Sequence, residues 1–153
     1  MTGDFRITLE YLKEIGACLE GQREFARVFP NGAGYQETLD RCAEEGRIDF
    51  GEWLLNKVGR TDDVRNYDEA INDPGKIIIF AGKLEFRLGV CAKVIEAGLG
   101  IEAGEGIKAG CDYGIFGGLH IKITLWAQYA IVTAKEKPAN LISGHWKPKE
   151  GTD

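Results

Sequence analysis

The chain has 153 residues, 44% hydrophobic and 28% charged, with a formal net charge of −5. This composition excludes a wholly disordered chain, and the length suits one compact domain or two small units sharing an interface. No apolar run approaches the ~18 residues of a membrane span. The opening residues Met1-Thr2-Gly3-Asp4-Phe5-Arg6 lack the basic-then-apolar order of a signal peptide, so a cytoplasmic location is expected.

The first elements read as helical. Thr8 is a suitable N-cap ahead of Leu9, Leu12, Ile15, Leu19, Phe25, Val28 and Phe29, whose spacing fits one helix face. Gly16 and Gly21 mark a kink or close helix contacts within it, and Pro30 forces it to end. Asn31-Gly32-Ala33-Gly34 is a turn. A second helix is predicted from about Tyr35 to Glu45, with Leu39, Cys42 and Ala43 inward and Gly46 as its stop. Asp49-Phe50-Gly51-Glu52 resembles an acidic cap and opens a third helix through Trp53, Leu54, Leu55 and Val58 to Gly59. A three-helix unit over 1–59 is too small to hide Phe25, Phe29, Phe50 and Trp53 alone, so part of it must pack on the later half of the chain.

Residues 60–75 read as a polar connector. It contains the acidic cluster Asp62, Asp63, Asp68, Glu69 and Asp73, and Asp73-Pro74-Gly75 is a turn. Residues 1–75 carry 16 acidic and 9 basic side chains, residues 76–153 carry 8 and 10. An acidic first half argues against direct nucleic-acid binding, which needs a basic face, and permits a basic protein partner. The acidic cluster is either a solvated linker or the contact surface for such a partner.

From Lys76 the period changes. Lys76-Ile77-Ile78-Ile79-Phe80-Ala81-Gly82 is a strand running into a turn. Glycine is unusually abundant, 21 residues in all, and much of it belongs to a repeat: Ile95-Glu96-Ala97-Gly98, Ile101-Glu102-Ala103-Gly104 and Ile107-Lys108-Ala109-Gly110, six residues apart. In an extended segment Ile and Ala share one face and the Glu or Lys between them points to water. The glycine is expected to turn a corner at positive φ. Such short strands gain stability by stacking on similar neighbours, which predicts a β-solenoid over 76–134 with roughly three coils of ~18 residues. The helical unit is placed to cap one end. Residues 119–133 alternate and read as longer strands, and 135–153 as a tail in which Leu141–Trp146 is apolar and Trp146 anchors, with a frayed end from Lys147.

Catalytic and ligand signals are sparse. Cys18, Cys42, Cys91 and Cys111 have no C-x-x-C spacing and no neighbouring histidine, so they read as free thiols, with no metal site. The glycines of 98–104 come near a dinucleotide fingerprint but lack its strand–loop–helix context, so no cofactor is expected. His120 is the one histidine in the repeat half able to serve an acyltransferase-like solenoid as general base, and a structural role is the simpler reading. No residue qualifies as catalytic.

Two motifs taken together resemble a group of small proteins encoded by phages and prophages. One is Gly16-Ala17-Cys18-x-x-Gly21-x-x-x-Phe25-x-x-x-Phe29-Pro30-Asn31-Gly32, followed by the second helix and Trp53-Leu54; the other is the tandem Ile-Glu/Lys-Ala-Gly repeat. The resemblance spans most of residues 15–118. It implies a small accessory protein that inhibits host defence by binding, as anti-CRISPR proteins do. The expected fold is α+β, a small N-terminal helical unit packed on a Gly-rich β-solenoid, with homodimerisation through an exposed strand edge. The expected function is a non-enzymatic inhibitor that occupies a protein surface of a nuclease or effector complex in the bacterial cytoplasm, with no direct nucleic-acid or membrane contact. A virion structural or assembly protein and a small acyltransferase-like enzyme are the alternatives.

Overall fold

The computed structural model describes residues 5–109, 114–117, 130–139 and 141–148. It is an α+β fold, a small four-helix unit followed by a parallel β-solenoid. His120 and Cys111 lie outside the described residues, as do most of the strands expected over 119–133.

The helical unit starts with strand β1 (Arg6–Ile7), which pairs antiparallel with β2 (Ala33–Gly34). Between them run α1 (Leu9–Glu14) and α2 (Leu19–Val28), where one helix was expected. Thr8 caps α1 as anticipated, its Oγ1 accepting the Tyr11 N–H at 3.1 Å. The helix then stops because Gly16 adopts φ +87°, and Cys18 restarts it, its Sγ accepting the Gly21 N–H at 3.4 Å. Gly21 marks a close helix contact: a Cβ there would lie 2.6 Å from the Phe50 ring. Helices α3 (Tyr35–Glu44) and α4 (Ile48–Val58) come next, each ended by a positive-φ glycine, Gly46 and Gly59. Asp49 sits in the first turn of α4 rather than capping it.

The solenoid has three faces. The first carries β3 (Val64–Tyr67), β6 (Lys83–Phe86), β9 (Ile101–Ala103), β12 (Ile131–Ala134) and β14 (His145–Pro148). The second carries β4 (Ile71–Asn72), β7 (Val90–Ala92) and β10 (Ile107–Ala109); the third β5 (Ile77–Phe80), β8 (Val94–Ala97), β11 (Ile115–Phe116) and β13 (Leu141–Ser143). Neighbouring strands within these faces pair in parallel. The six-residue repeat is one side of this prism. Ile95, Ile101 and Ile107 fall on three successive faces and point into one core with Leu84, Phe86 and Val132.

The solenoid has about four coils and exceeds the expected range at both ends. The stretch expected to be a polar connector, 60–75, supplies β3 and β4 of the first coil, and the stretch expected to be a tail supplies β13 and β14. The physical reason is that a terminal coil needs only one packed neighbour. Arg65 and Tyr67 stand in register with Leu84 and Phe86, and the Tyr67 ring stacks on Phe86 at 4.9 Å. Trp146 does anchor its segment, its indole N–H donating to the Ala134 carbonyl at 3.1 Å.

The corner glycines also act differently from expectation. Gly82, Gly98 and Gly104 do not adopt positive φ. A Cβ on them would collide with the carbonyl oxygens of Asp63, Ala81 and Arg87 respectively, so they are small because successive coils stack backbone on backbone there. Gly106 has nothing within 4 Å of such a Cβ. Gly98→Ala is therefore expected to cost about 3 kcal/mol or more through forced coil separation, whereas Gly106→Ala changes stability by about 0.5 kcal/mol or less. Urea unfolding of the two variants side by side measures the contrast.

Candidate functional site

The helical unit meets the solenoid on its first coil. Ile79 and Ala81 of the coil are part of the helical core, together with Leu39, Leu54 and Leu55. Gly51 lets α4 approach, since a Cβ there would lie 2.7 Å from Ile79 Cδ1. The open edge of β5 is met by one side chain. Gln36 of α3 donates from Nε2 to the Ile79 carbonyl at 2.9 Å and accepts the Ala81 N–H on Oε1 at 3.0 Å. A carboxamide has the donor and acceptor of a peptide group, so Gln36 stands where the next strand's backbone would be.

Gln36 also donates to Asp40, which forms a bidentate pair with Arg65 of β3 at 3.0 Å for both bonds. Arg65 lies over the Phe80 ring at 4.7 Å. The hydrogen bond to Asp40 raises the Arg65 pKa above its ordinary value. This arginine takes an inward-facing position of the first coil, where its charge is neutralised by the cap rather than buried under another coil.

On either side of this pair the surface is open. A cleft of about 1230 Å³ runs between α3 and β3, bordered by Arg6, Glu37 and Arg41 on one wall and by Asp63, Val64 and Asn66 on the other. A smaller hollow of about 390 Å³ lies beyond Arg65 toward Lys76. Val64 is half exposed at the edge of the large cleft.

Here the acidic residues singled out in the sequence can be placed. All five lie on the first coil. Asp62 and Asp63 precede β3, and Asp68 and Glu69 come directly after it. Asp63 lines the large cleft and Asp68 a separate recess with Glu85 and Arg87. Asp73 is a turn residue: its Oδ1 accepts the Gly75 N–H at 3.0 Å and its own N–H donates to the Cys91 carbonyl. The structure thus brings four of them to the two ends of one edge strand and gives the fifth a structural task. Gln36, Asp40 and Arg65 had no sequence signal. Helical spacing puts Gln36 and Asp40 on one face of α3, but nothing marks that face as a cap.

Glu96 is the other group that sequence reading misplaced. Its repeat position points away from the solenoid core as expected, yet the residue is 1% exposed, beside Ile79, which belongs to the helical core, and near Glu52 of α4. Burial pushes its pKa up to about 8, and Glu52 of α4 adds like-charge repulsion. Among the described residues its Oε2 has no hydrogen-bond partner. The equivalent Glu102 stays partly exposed and accepts from Lys83 at 3.4 Å. Among the described residues no group of three or more His, Cys, Asp or Glu is arranged to hold a metal ion, and no helix is long and apolar enough to cross a membrane.

Fold and site together define a helically capped parallel β-solenoid with an open, charged cleft at its capped end. Residues 1–61 match the family model described as YdhT N-terminal domain. The match covers the helical unit and ends as the first coil begins. No curated protein and no solved structure matches the chain.

Two outcomes test the interface between the units. Arg65→Ala is expected to lower stability by about 1–2 kcal/mol, and Gln36→Ala by about 1–3 kcal/mol because two peptide groups lose their partner. A double-mutant cycle of Arg65→Ala with Asp40→Ala, read by urea midpoints, should show coupling between the pair. Glu96 sets a pH dependence. Its folded pKa is raised, so its contribution to stability is fully present below the ordinary carboxyl value of 4.5 and is lost as pH rises through about 8. Thermal melts should show stability falling between those limits, and Glu96→Gln should remove that part of the slope.

Proposed function

We propose that this chain is a non-catalytic binding module that acts by occupying the surface of another protein, with the capped end of the solenoid as its contact. The observation that carries this reading is the cleft between α3 and β3. It exposes a strand edge that no described strand covers, with a half-exposed valine between pairs of carboxylates. Such an edge is a template for association, and a free protein usually blunts it. The cleft walls carry charged side chains engaged in ion pairs and caps: Asp40 holds Arg65, and Glu37 accepts the Gly34 N–H at 3.1 Å. That arrangement suits shape and charge recognition.

On the resemblance to phage-encoded accessory proteins, the proposed partner is a bacterial defence protein, a nuclease or effector complex with a basic groove, inhibited in the host cytoplasm in the manner of an anti-CRISPR protein. The acidic first half supports this. Carboxylates are repelled by nucleic acid and attracted to the basic surfaces that bind it.

The test is affinity capture by the tagged chain from bacterial lysates that carry active CRISPR systems, read by mass spectrometry, followed by a cleavage assay with the recovered complex. Stoichiometric recovery of an effector whose cleavage the chain suppresses is the expected result. Recovery of virion components, or suppression of cleavage in a variant whose cleft residues Asp63 and Asn66 are replaced by Arg, would overturn it.

A further inference from the structure

From the hydrogen-bonding register of β3 we infer that the capped end binds by strand addition: it takes up an extended, lysine- or arginine-bearing segment of another protein along the outer edge of β3. This inference rests on the binding reading above and names the chemistry of the partner.

In a parallel ladder both peptide groups of a residue point to the same side, and alternate residues point to opposite sides. The Lys83 N–H donates to Asp63 O at 3.0 Å and the Arg87 N–H to Tyr67 O at 2.9 Å. The odd-numbered residues of β3 therefore serve β6. The N–H and C=O groups of Val64 and Asn66 point the other way, into the cleft. Among the described residues no strand pairs with that side, and β3 is the last strand of its sheet. Its neighbour at the same end, β5, has its edge met by Gln36. The first coil is thus closed on one face and open on another.

A second copy of this chain is a poor occupant, for two reasons. The far end of the same sheet is β14, where His145 N–H donates to Ala130 O at 2.9 Å, so Trp146 and Pro148 hold the outward positions. Proline has no N–H to offer, and this edge is blunted. Pairing β3 with its own copy across a two-fold axis, Val64 opposite Asn66, sets Asp62 of one chain opposite Asp68 of the other, which is repulsive. Residues 62–69 carry four carboxylates and one arginine. The segment that fits is extended, has an apolar residue beside Val64, and carries basic residues toward one or both ends. Main-chain bonds supply the affinity and the flanking charges the choice of partner.

The experiment selects a library of random short peptides against the intact chain and measures the affinity of the enriched peptides for variants. Val64→Pro removes only an outward N–H and leaves the ladder to β6 intact. Asp68→Lys with Glu69→Lys reverses one flank. Enriched peptides should carry Lys or Arg flanking an apolar residue, bind at least about tenfold more weakly to each variant, and weaken with added salt. In the wild-type complex the Val64 and Asn66 amides should gain protection from hydrogen exchange, a readout that holds even if Val64→Pro folds poorly. Enriched peptides without basic residues, or full affinity for a folded Val64→Pro with no new protection at Val64 and Asn66, would overturn strand addition. A protein partner retained by Val64→Pro would overturn it too, while leaving the binding reading itself standing.

Discussion

A stack of parallel β-coils satisfies its own peptide groups everywhere except at its two ends. In this protein the first coil is where that constraint is met. An exposed row of backbone donors and acceptors at β5 would invite association, and the helical unit answers it with a single carboxamide, that of Gln36. The same side chain reaches Asp40, and Asp40 reaches Arg65 on the adjacent face of the coil. One helix, α3, therefore ties two faces of the prism together. Leu39, Leu54 and Leu55 are hidden by Ile79 and Ala81 in the process, which joins the two hydrophobic cores through one strand.

Much of this was legible in residues that repeat. Ile95, Ile101 and Ile107 at six-residue intervals specify a three-faced coil directly, because each side needs an inward pair, a corner and nothing more. The helix ends at Gly46 and Gly59 were equally plain. The limits of the solenoid were not, and the reason is physical. Inner coils must be small at the corners and apolar inside, since each has a neighbour on both sides. The first coil has a neighbour on one side only, so it can place Arg65 at an inward position and Asp68, Glu69 and Asp73 at its turns. A coil written in polar residues looks like a linker. The corner glycines were found by the repeat but explained by the wrong property: closeness of the next coil's carbonyl, rather than a left-handed backbone, excludes a side chain at Gly98.

The candidate site was half visible for a related reason. Periodicity assigns a residue to a face but is blind to what covers that face. Glu96, Glu102 and Lys108 occupy the same place in the repeat. The first is buried against the helical unit, the second pairs with Lys83, and the third is exposed. Proximity to α4 sets the first apart, and Lys83 of β6 the second. Likewise Asp40 belongs to a helix whose neighbours Arg41 and Glu44 are ordinary exposed charges, and its role emerges only when Arg65 is brought opposite.

The asymmetry between the two ends of the five-stranded sheet carries the functional argument furthest. Both terminal strands, β3 and β14, have one free side among the described residues. One of them places a proline on that side, and the other places Val64 and Asn66 there with carboxylates at both flanks. The two edges differ in what they offer a further strand: β14 has a proline in place of one outward donor, and β3 keeps its outward donors between carboxylates. Repulsion of like charge is selective where loss of a donor is not. It rejects another acidic edge and admits a basic one. An edge that needed only to be protected had the proline solution open to it. Keeping the donors of β3 intact, inside a cleft walled by α3, retains the capacity to pair while restricting the partners that can do so, and that combination is what supports the proposed recognition edge.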